Sequence, residues 1–271
     1  MKIKRVCGVY FSATGTTEKI VFNLGKYLSE KLEVDFSIFD FTPLDNRKKN
    51  LEFQKEDLVI LGVPTIAGRV PNLLLKYLQS ISGNGALAVA IVLYGNRNYD
   101  DSLIELRDIL YEDNFNVIAG GTFIGEHSFS NILGKGRPDN KDMIILENFS
   151  SKIVKKIENQ DFTFVDVKGV KKPYRWYYQP KDENGNPIDI RKVKPLTNDR
   201  CINCKLCAKL CPMGSINFEN VKEVSGICIK CCACIKKCPT DAKYFDDLGY
   251  IYHKNKLEED FTRRAEPEIF L

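Results

Sequence analysis

The sequence predicts an α/β chain: a doubly wound parallel sheet of five strands, followed by a small α+β unit rich in cysteine. Three observations predict it. Short apolar runs alternate with amphipathic stretches up to about residue 160, a passage rich in proline and aromatics follows, and nine of the ten cysteines fall between Cys201 and Cys238. At 271 residues the chain is long enough for two folded units, since one domain takes roughly 150 residues.

The strands are expected where apolar runs are short and bounded by polar turns, over 5–11, 34–41, 57–63, 86–94 and 116–123. Crossover helices are expected over 16–32, 72–81 and 101–112, and a closing helix over 139–158. Such sheets bind ligands beyond the carboxyl ends of their strands, where the winding reverses. The loops after strands one, three, four and five are therefore the candidate site.

Composition narrows the function. Lys and Arg total 40 against 36 Asp and Glu, a net charge of +4, too balanced to advertise nucleic acid as a partner. The longest apolar run, residues 86–94, falls far short of the ~20 residues that span a bilayer. Lys2, Lys4 and Arg5 precede an apolar stretch, as in a signal peptide, but a polar Thr-Gly-Thr-Thr-Glu segment follows with no small-residue cleavage site. A dense cysteine block without an export signal points to metal ligation in the cytoplasm.

Residues 1–160 form the first expected domain, 161–196 a connector and 197–271 the second domain with a C-terminal tail. In the connector Pro173, Pro180, Pro187 and Pro195 interrupt any periodicity. Tyr174, Trp176, Tyr177 and Tyr178 are too apolar for a solvated linker, so this segment is expected to pack on one or both domains.

The cysteine block is an internal repeat. Cys201, Cys204, Cys207 and Cys211 recur 27 residues later as Cys228, Cys231, Cys234 and Cys238, and each run ends in proline, Pro212 and Pro239. This spacing resembles the runs by which bacterial-type ferredoxins hold two 4Fe-4S clusters, the fourth cysteine of each run serving the other cluster. The resemblance implies one cluster on Cys201, Cys204, Cys207 and Cys238, and a second on Cys228, Cys231, Cys234 and Cys211. Structural zinc, the competing reading, would need only paired cysteines and leaves the third thiol of each run unexplained. Cys7 and Cys232 lie outside the repeat and read as bystanders, although a thiol beside a cluster can tune its potential.

Directly after the first strand, Ser12, Ala13, Thr14, Gly15, Thr16 and Thr17 lead into a helix. Hydroxyls and free amides at a helix start supply donors to a phosphate, and Gly15 lets the backbone come close. A plain helix cap is the bland alternative. The triphosphate-binding pattern Gly-x4-Gly-Lys-Ser/Thr is absent from the sequence.

The segment from Phe11 to Thr17 resembles the FMN phosphate loop of flavodoxins, and nearly the whole chain is similar to the flavodoxin-ferredoxin fusion proteins of anaerobic bacteria. That resemblance implies a flavodoxin-like doubly wound five-stranded sheet, then a small bacterial ferredoxin-like domain. It also implies that Pro64, Thr65, Ile66, Ala67, Gly68 and Arg69 form one loop against the FMN ring. Tyr94, Gly95, Asn96, Arg97, Tyr99 and Asp100 would form a second. Ile66 stands where flavodoxins often carry an aromatic, which leaves Tyr94 and Tyr99 as the nearby rings. Arg69 and Arg97 would face the flavin, where a cation stabilises the reduced, anionic ring. Glu126, His127 and Arg137 belong to the region after strand five, and His127 reads as a satisfied loop histidine.

The combination predicts a soluble electron-transfer protein that passes low-potential electrons between FMN and two 4Fe-4S clusters. A redox partner protein is expected, with no nucleic acid and no membrane span, and self-association is left open. The second reading is an FMN-dependent reductase of a small substrate, its flavin refilled by the clusters, motivated by the space Ile66 would leave. Lys230, Lys236, Lys237 and Lys243 form a basic block that is either a solvated face or a surface steering an acidic partner.

Overall fold

In the computed structural model, which describes residues 2–271, the five apolar runs form strands β1 (Arg5–Tyr10), β2 (Asp35–Asp40), β3 (Asp57–Pro64), β4 (Leu87–Tyr94) and β5 (Asn116–Ile124). Helices α1 (Thr16–Leu32), α2 (Asn72–Leu78), α3 (Ser102–Glu112) and α4 (Asn140–Glu158) intervene or follow. The strands lie in the order β2-β1-β3-β4-β5, all parallel. This is the flavodoxin-like doubly wound order, and the winding reverses between β1 and β3.

The central strands are apolar throughout because helices cover both faces of the sheet. Val59, Leu61 and Val63 of β3 pack with Leu74, Leu78, Leu103 and Leu106 on one face. Leu58 and Ile60 pack with Ile20, Leu24, Phe149 and Ile153 on the other. Each of these side chains stabilises the sheet by ~1.5–3 kcal/mol relative to exposure.

Helix ends depart from expectation for local reasons. α2 stops at Leu78, because the amides of Ser80 and Ile81 bond three residues back, to the carbonyls of Tyr77 and Leu78, and tighten the chain into a turn. Asp139 is the cap of α4, not its first residue, and forms a reciprocal capping box with Asp142. Asp101 caps nothing with its side chain, which is wholly buried and turned to the connector.

The connector is tied to the first domain at several points. The carboxylate of Asp101 accepts the amides of Val170 at 2.9 Å and Arg175 at 2.8 Å. Tyr174 donates its hydroxyl to Asp108 and Tyr177 donates to the carbonyl of Val70, both at 2.9 Å. The amide of Tyr178 donates to the carbonyl of Ala67 at 2.8 Å. Trp176 is the exception to the expected packing: its neighbours are pinned, yet it is 95% exposed.

The second unit contains β6 (Leu196–Thr197), α5 (Leu206–Leu210), α6 (Ala233–Lys236) and β7 (Lys243–Tyr244), with β6 and β7 paired antiparallel. Its backbone repeats as its cysteines do. Left-handed residues fall at Asn203 and Lys230, at Lys205 and Cys232, and at Gly214 and Asp241. Within each pair the members occupy equivalent places in the two runs.

The stretch beyond the cysteines is more than a tail. It forms α7 (Leu248–Asp260) and then β8 (Glu268–Phe270), which pairs antiparallel with β5 across Gly120, Gly121 and Thr122. The expected five-stranded sheet thus gains a sixth strand from the far end of the chain.

Candidate functional site

The loops after β1, β3 and β4 lie on neighbouring strands, at the carboxyl edge where the winding reverses. After β1, Gly15 sits at φ 98°, with open space where a side chain would project. No side chain of the cap residue Gly15 closes the start of α1, and the amides of Thr16 and Thr17 have no acceptor within the helix. Thr14 and Thr16 are half-exposed, while Thr17 is buried. Ser12 is used in shaping the loop: its hydroxyl accepts the amide of Glu18 at 3.0 Å and its amide donates to Thr42 Oγ1 at 2.7 Å. A glycine cradle, a bare helix start and two free hydroxyls fit a phosphate group such as that of FMN. Lys19 takes no part, since its ammonium donates to the carbonyl of Pro138 at 2.7 Å.

The loop after β3 turns back on itself. Ile66 and Arg69 exchange backbone hydrogen bonds of 3.0 and 3.1 Å, with Ala67 and Gly68 left-handed at the tip. Thr65 Oγ1 lies 2.6 Å from Ser102 Oγ, which ties this loop to the start of α3. Arg69 grips Glu105 with two bonds of 2.7 Å, and Glu105 also accepts the amide of Val70. Its guanidinium lies 4.7 and 5.0 Å from the ring centres of Tyr174 and Tyr177. Arg69 therefore holds the connector onto the loop, a use the sequence reading did not give it.

The loop after β4 is similarly occupied. Asn96 donates to the carbonyls of Phe261 and Arg263 and accepts the amide of Ala265. Arg97 pairs with Asp100 and lies 4.3 Å from the ring centre of Tyr178. Tyr94 and Tyr99 pack on each other at 5.6 Å, both buried, and burial pushes the Tyr94 phenol up to about 12. Gly95 is needed here, because a Cβ would stand 2.4 Å from His127 Cδ2. Three expected site residues, Arg69, Asn96 and Arg97, are thus already engaged by the connector, by Asp100 or by the C-terminal segment.

The cysteines divide between two cavities. One is lined by Cys201, Cys204, Cys207 and Cys238, the other by Cys211, Cys228, Cys231 and Cys234 with Cys232 beside them. The division crosses the two runs in the pattern implied by the ferredoxin resemblance. All ten cysteines are free thiols. The amide of Ser215 donates to Cys211 Sγ at 3.4 Å, and that of Ala242 donates to Cys238 Sγ at 3.2 Å, at equivalent places in the repeat. Four thiols around a small apolar space, with amides aimed at sulfur, fit a cubane cluster better than a single ion. Among the described residues no three His, Cys, Asp or Glu side chains converge on one metal-sized point. Burial pushes the Cys231 thiol up to about 12 and raises Cys228 and Cys234 as well. For Cys238 burial acts in the same direction but is outweighed by the Thr240 and Ala242 amides, which bring it below the usual thiol value.

The basic block is mostly internal. Lys230 donates to the carbonyls of Arg191 and Cys228, Lys236 to that of Ser130, and Lys243 to that of Val221. Only Lys237 of the four is exposed, so a shared steering face is not what these lysines form.

A model of the 4Fe-4S binding domain matches residues 195–217, the stretch that carries the first cysteine run. Together with the flavodoxin-like strand order, this is consistent with a flavodoxin-ferredoxin fusion. Among solved structures the chain is similar to a flavodoxin from the domain Archaea, at 18% identity and a TM-score of 0.41, covering 58% of this chain and 99% of that one. It is similar to the flavodoxin of Streptococcus pneumoniae TIGR4 at 17% identity and a TM-score of 0.40, over 56% of this chain and 99% of that one. Oxidised flavodoxin 2 of Bacillus cereus gives 16% identity and a TM-score of 0.42, with the same coverage of 56% and 99%. No curated protein matches the chain. Among the described residues no helix is long and apolar enough to cross a membrane.

Proposed function

We propose that this chain is an electron-transfer protein carrying FMN and two 4Fe-4S clusters, and that it moves low-potential electrons between them and a redox partner protein. The observation that carries the reading is the crossed division of the eight repeat cysteines between two cavities, on the same chain as a phosphate cradle at a sheet switch point. FMN bound there would exchange two electrons, singly or together, whereas a cluster exchanges one. Gly15 and the free amides of α1 would hold the phosphate, and the loops after β3 and β4 would flank the ring. Cys201, Cys204, Cys207 and Cys238 would ligate one cluster, and Cys228, Cys231, Cys234 and Cys211 the other. One chain places both kinds of carrier at a high, fixed effective concentration, so transfer between them need not wait for diffusion.

Anaerobic purification tests this directly. About one FMN and eight iron per chain are expected, the content of one flavin site and two four-iron clusters. Dithionite-reduced clusters should then reduce the flavin within the same molecule. A chain that binds iron but no flavin would defeat the proposal. If a small substrate reoxidises the flavin with saturation and no protein partner does, the FMN-dependent reductase reading replaces it.

A further inference from the structure

The two cysteine-lined cavities are not equivalent in their surroundings. The cavity of Cys201, Cys204, Cys207 and Cys238 is walled by its own unit alone. The hydrogen bonds and ion pairs of its lining side chains, among the described residues, all end within residues 196–244. Cys204 is exposed, and its neighbour Ile202 is 66% exposed. This cavity faces outward.

The cavity of Cys211, Cys228, Cys231 and Cys234 is enclosed by the first domain on two sides. On one side Arg47, in the turn after β2, donates to the carbonyl of Pro212, while its guanidinium stands 5.7 Å from the ring centre of Phe11, the residue before the phosphate cradle. Ile229, which lines this cavity, packs on the same sheet-face core as Ala13 of that cradle. On the other side a row of rings leads away from the cavity. Cys232 Sγ lies 3.7 Å from Tyr250 Oη, the Tyr250 and Phe129 centroids are 4.7 Å apart, and those of Phe129 and His127 are 5.2 Å apart. His127 packs directly on Gly95, in the loop after β4. Lys236, two residues after Cys234, closes the same seam through the carbonyl of Ser130.

We propose that the Cys211, Cys228, Cys231 and Cys234 cavity is the inner redox station, joined to the flavin loops by the row Tyr250, Phe129 and His127, and that the Cys201, Cys204, Cys207 and Cys238 cavity is the outer station where electrons enter or leave the chain. This order rests on the functional reading above. Electrons balance one at a time: a one-electron donor reduces the outer cluster, which is reoxidised as the inner cluster is reduced, and the inner cluster is reoxidised as the flavin gains the electron. Two passages supply the pair that FMN holds, with protons from water.

The test uses the full chain loaded with FMN and both clusters. Bathophenanthroline disulfonate removes iron stepwise under nitrogen, freed thiols are alkylated, and mass spectrometry reports which cysteines were labelled. In parallel, flash-generated methyl viologen radical reduces the protein, and flavin bleaching is resolved into phases that do or do not depend on protein concentration. The expected result is that Cys201, Cys204, Cys207 and Cys238 label first. Protein that has lost the first half of its iron then keeps the concentration-independent phase. Cys204→Ser, loaded only in the inner cavity, keeps that phase, and Cys231→Ser, loaded only in the outer one, loses it. Labelling of the other quartet first, or of both quartets together, overturns the order. So does loss of the internal phase on half-depletion while FMN stays bound. If the fully loaded chain has no internal phase at all, the functional reading fails and takes the order with it, an outcome distinct from the others because it precedes any depletion.

Discussion

Replacing Arg69 by Met should release the connector from the loop after β3. Arg69 and Glu105 form a two-bond pair with side chains only 12% and 4% exposed, so removing the cation leaves a buried carboxylate with the amide of Val70 as its remaining partner. Breaking such a pair costs ~3–5 kcal/mol, and the lost stacking on Tyr174 and Tyr177 adds ~0.5–1 kcal/mol for each ring. A combined loss of at least about 4 kcal/mol in favour of the open connector corresponds to a rise of roughly a thousandfold or more in its opening equilibrium. Native-state hydrogen exchange reads this at two amides, those of Arg175 and Tyr178, whose acceptors are Asp101 and Ala67. Both should lose protection in Arg69→Met and recover much of it in Arg69→Met/Glu105→Leu, where no charge is stranded. Protection unchanged within tenfold, together with a large loss of FMN affinity, would refute the reasoning and put the guanidinium on the flavin.

Three further outcomes follow from the geometry. Gly15→Val should weaken FMN binding at least tenfold in a fluorescence titration. A left-handed backbone costs a side chain ~1–2 kcal/mol, and the cradle narrows; unchanged affinity would mean that the phosphate binds elsewhere. Asp113, at the end of α3, has its carboxyl pushed up to about 7 by burial and by Glu112, and its Oδ2 is unpartnered. The folded chain thus holds this proton more tightly than the unfolded one, stability falls as pH rises from about 4 to 7, and Asp113→Asn should melt higher than the parent at pH 8 but not at pH 4. Burial, with the neighbouring His253, pushes His127 down to about 3, so its contribution is complete above pH 6.5 and lost on acidification. Roughly 2 kcal/mol should disappear between pH 7 and pH 5 in urea titrations, and His127→Phe should flatten that slope.

The parallel strands were legible because helices cover both faces, so β3 and β4 are written as unbroken apolar runs. The cysteine repeat was legible for a different reason: thiols at fixed spacing have few other uses. What escaped was non-local. β8 offers only Ile269 and Phe270 as apolar residues, and the strand it joins lies far back in the chain. α7 buries a stripe of three, Tyr250, His253 and Leu257, too thin and too polar to stand out as an amphipathic helix. Arg69 and Asn96 sat in the expected loops, but their partners, Glu105 and the segment 261–265, are named by no local pattern. The aromatic run of the connector revealed that it packs, yet not that Trp176 would be left almost wholly in water.

The return of β8 to the first sheet sets an order of assembly during synthesis. At ~5–20 residues per second, β5 leaves the ribosome roughly seven to thirty seconds before the residues that pair with it. Throughout that interval the nascent sheet presents an open edge, and the segment that closes it can arrive only after the whole cysteine block has emerged. Folding of the cysteine unit and closure of the sheet are thereby tied in sequence: until residues 268–270 dock, Gly120, Gly121 and Thr122 of β5 remain an unpaired edge, open to pairing with another chain.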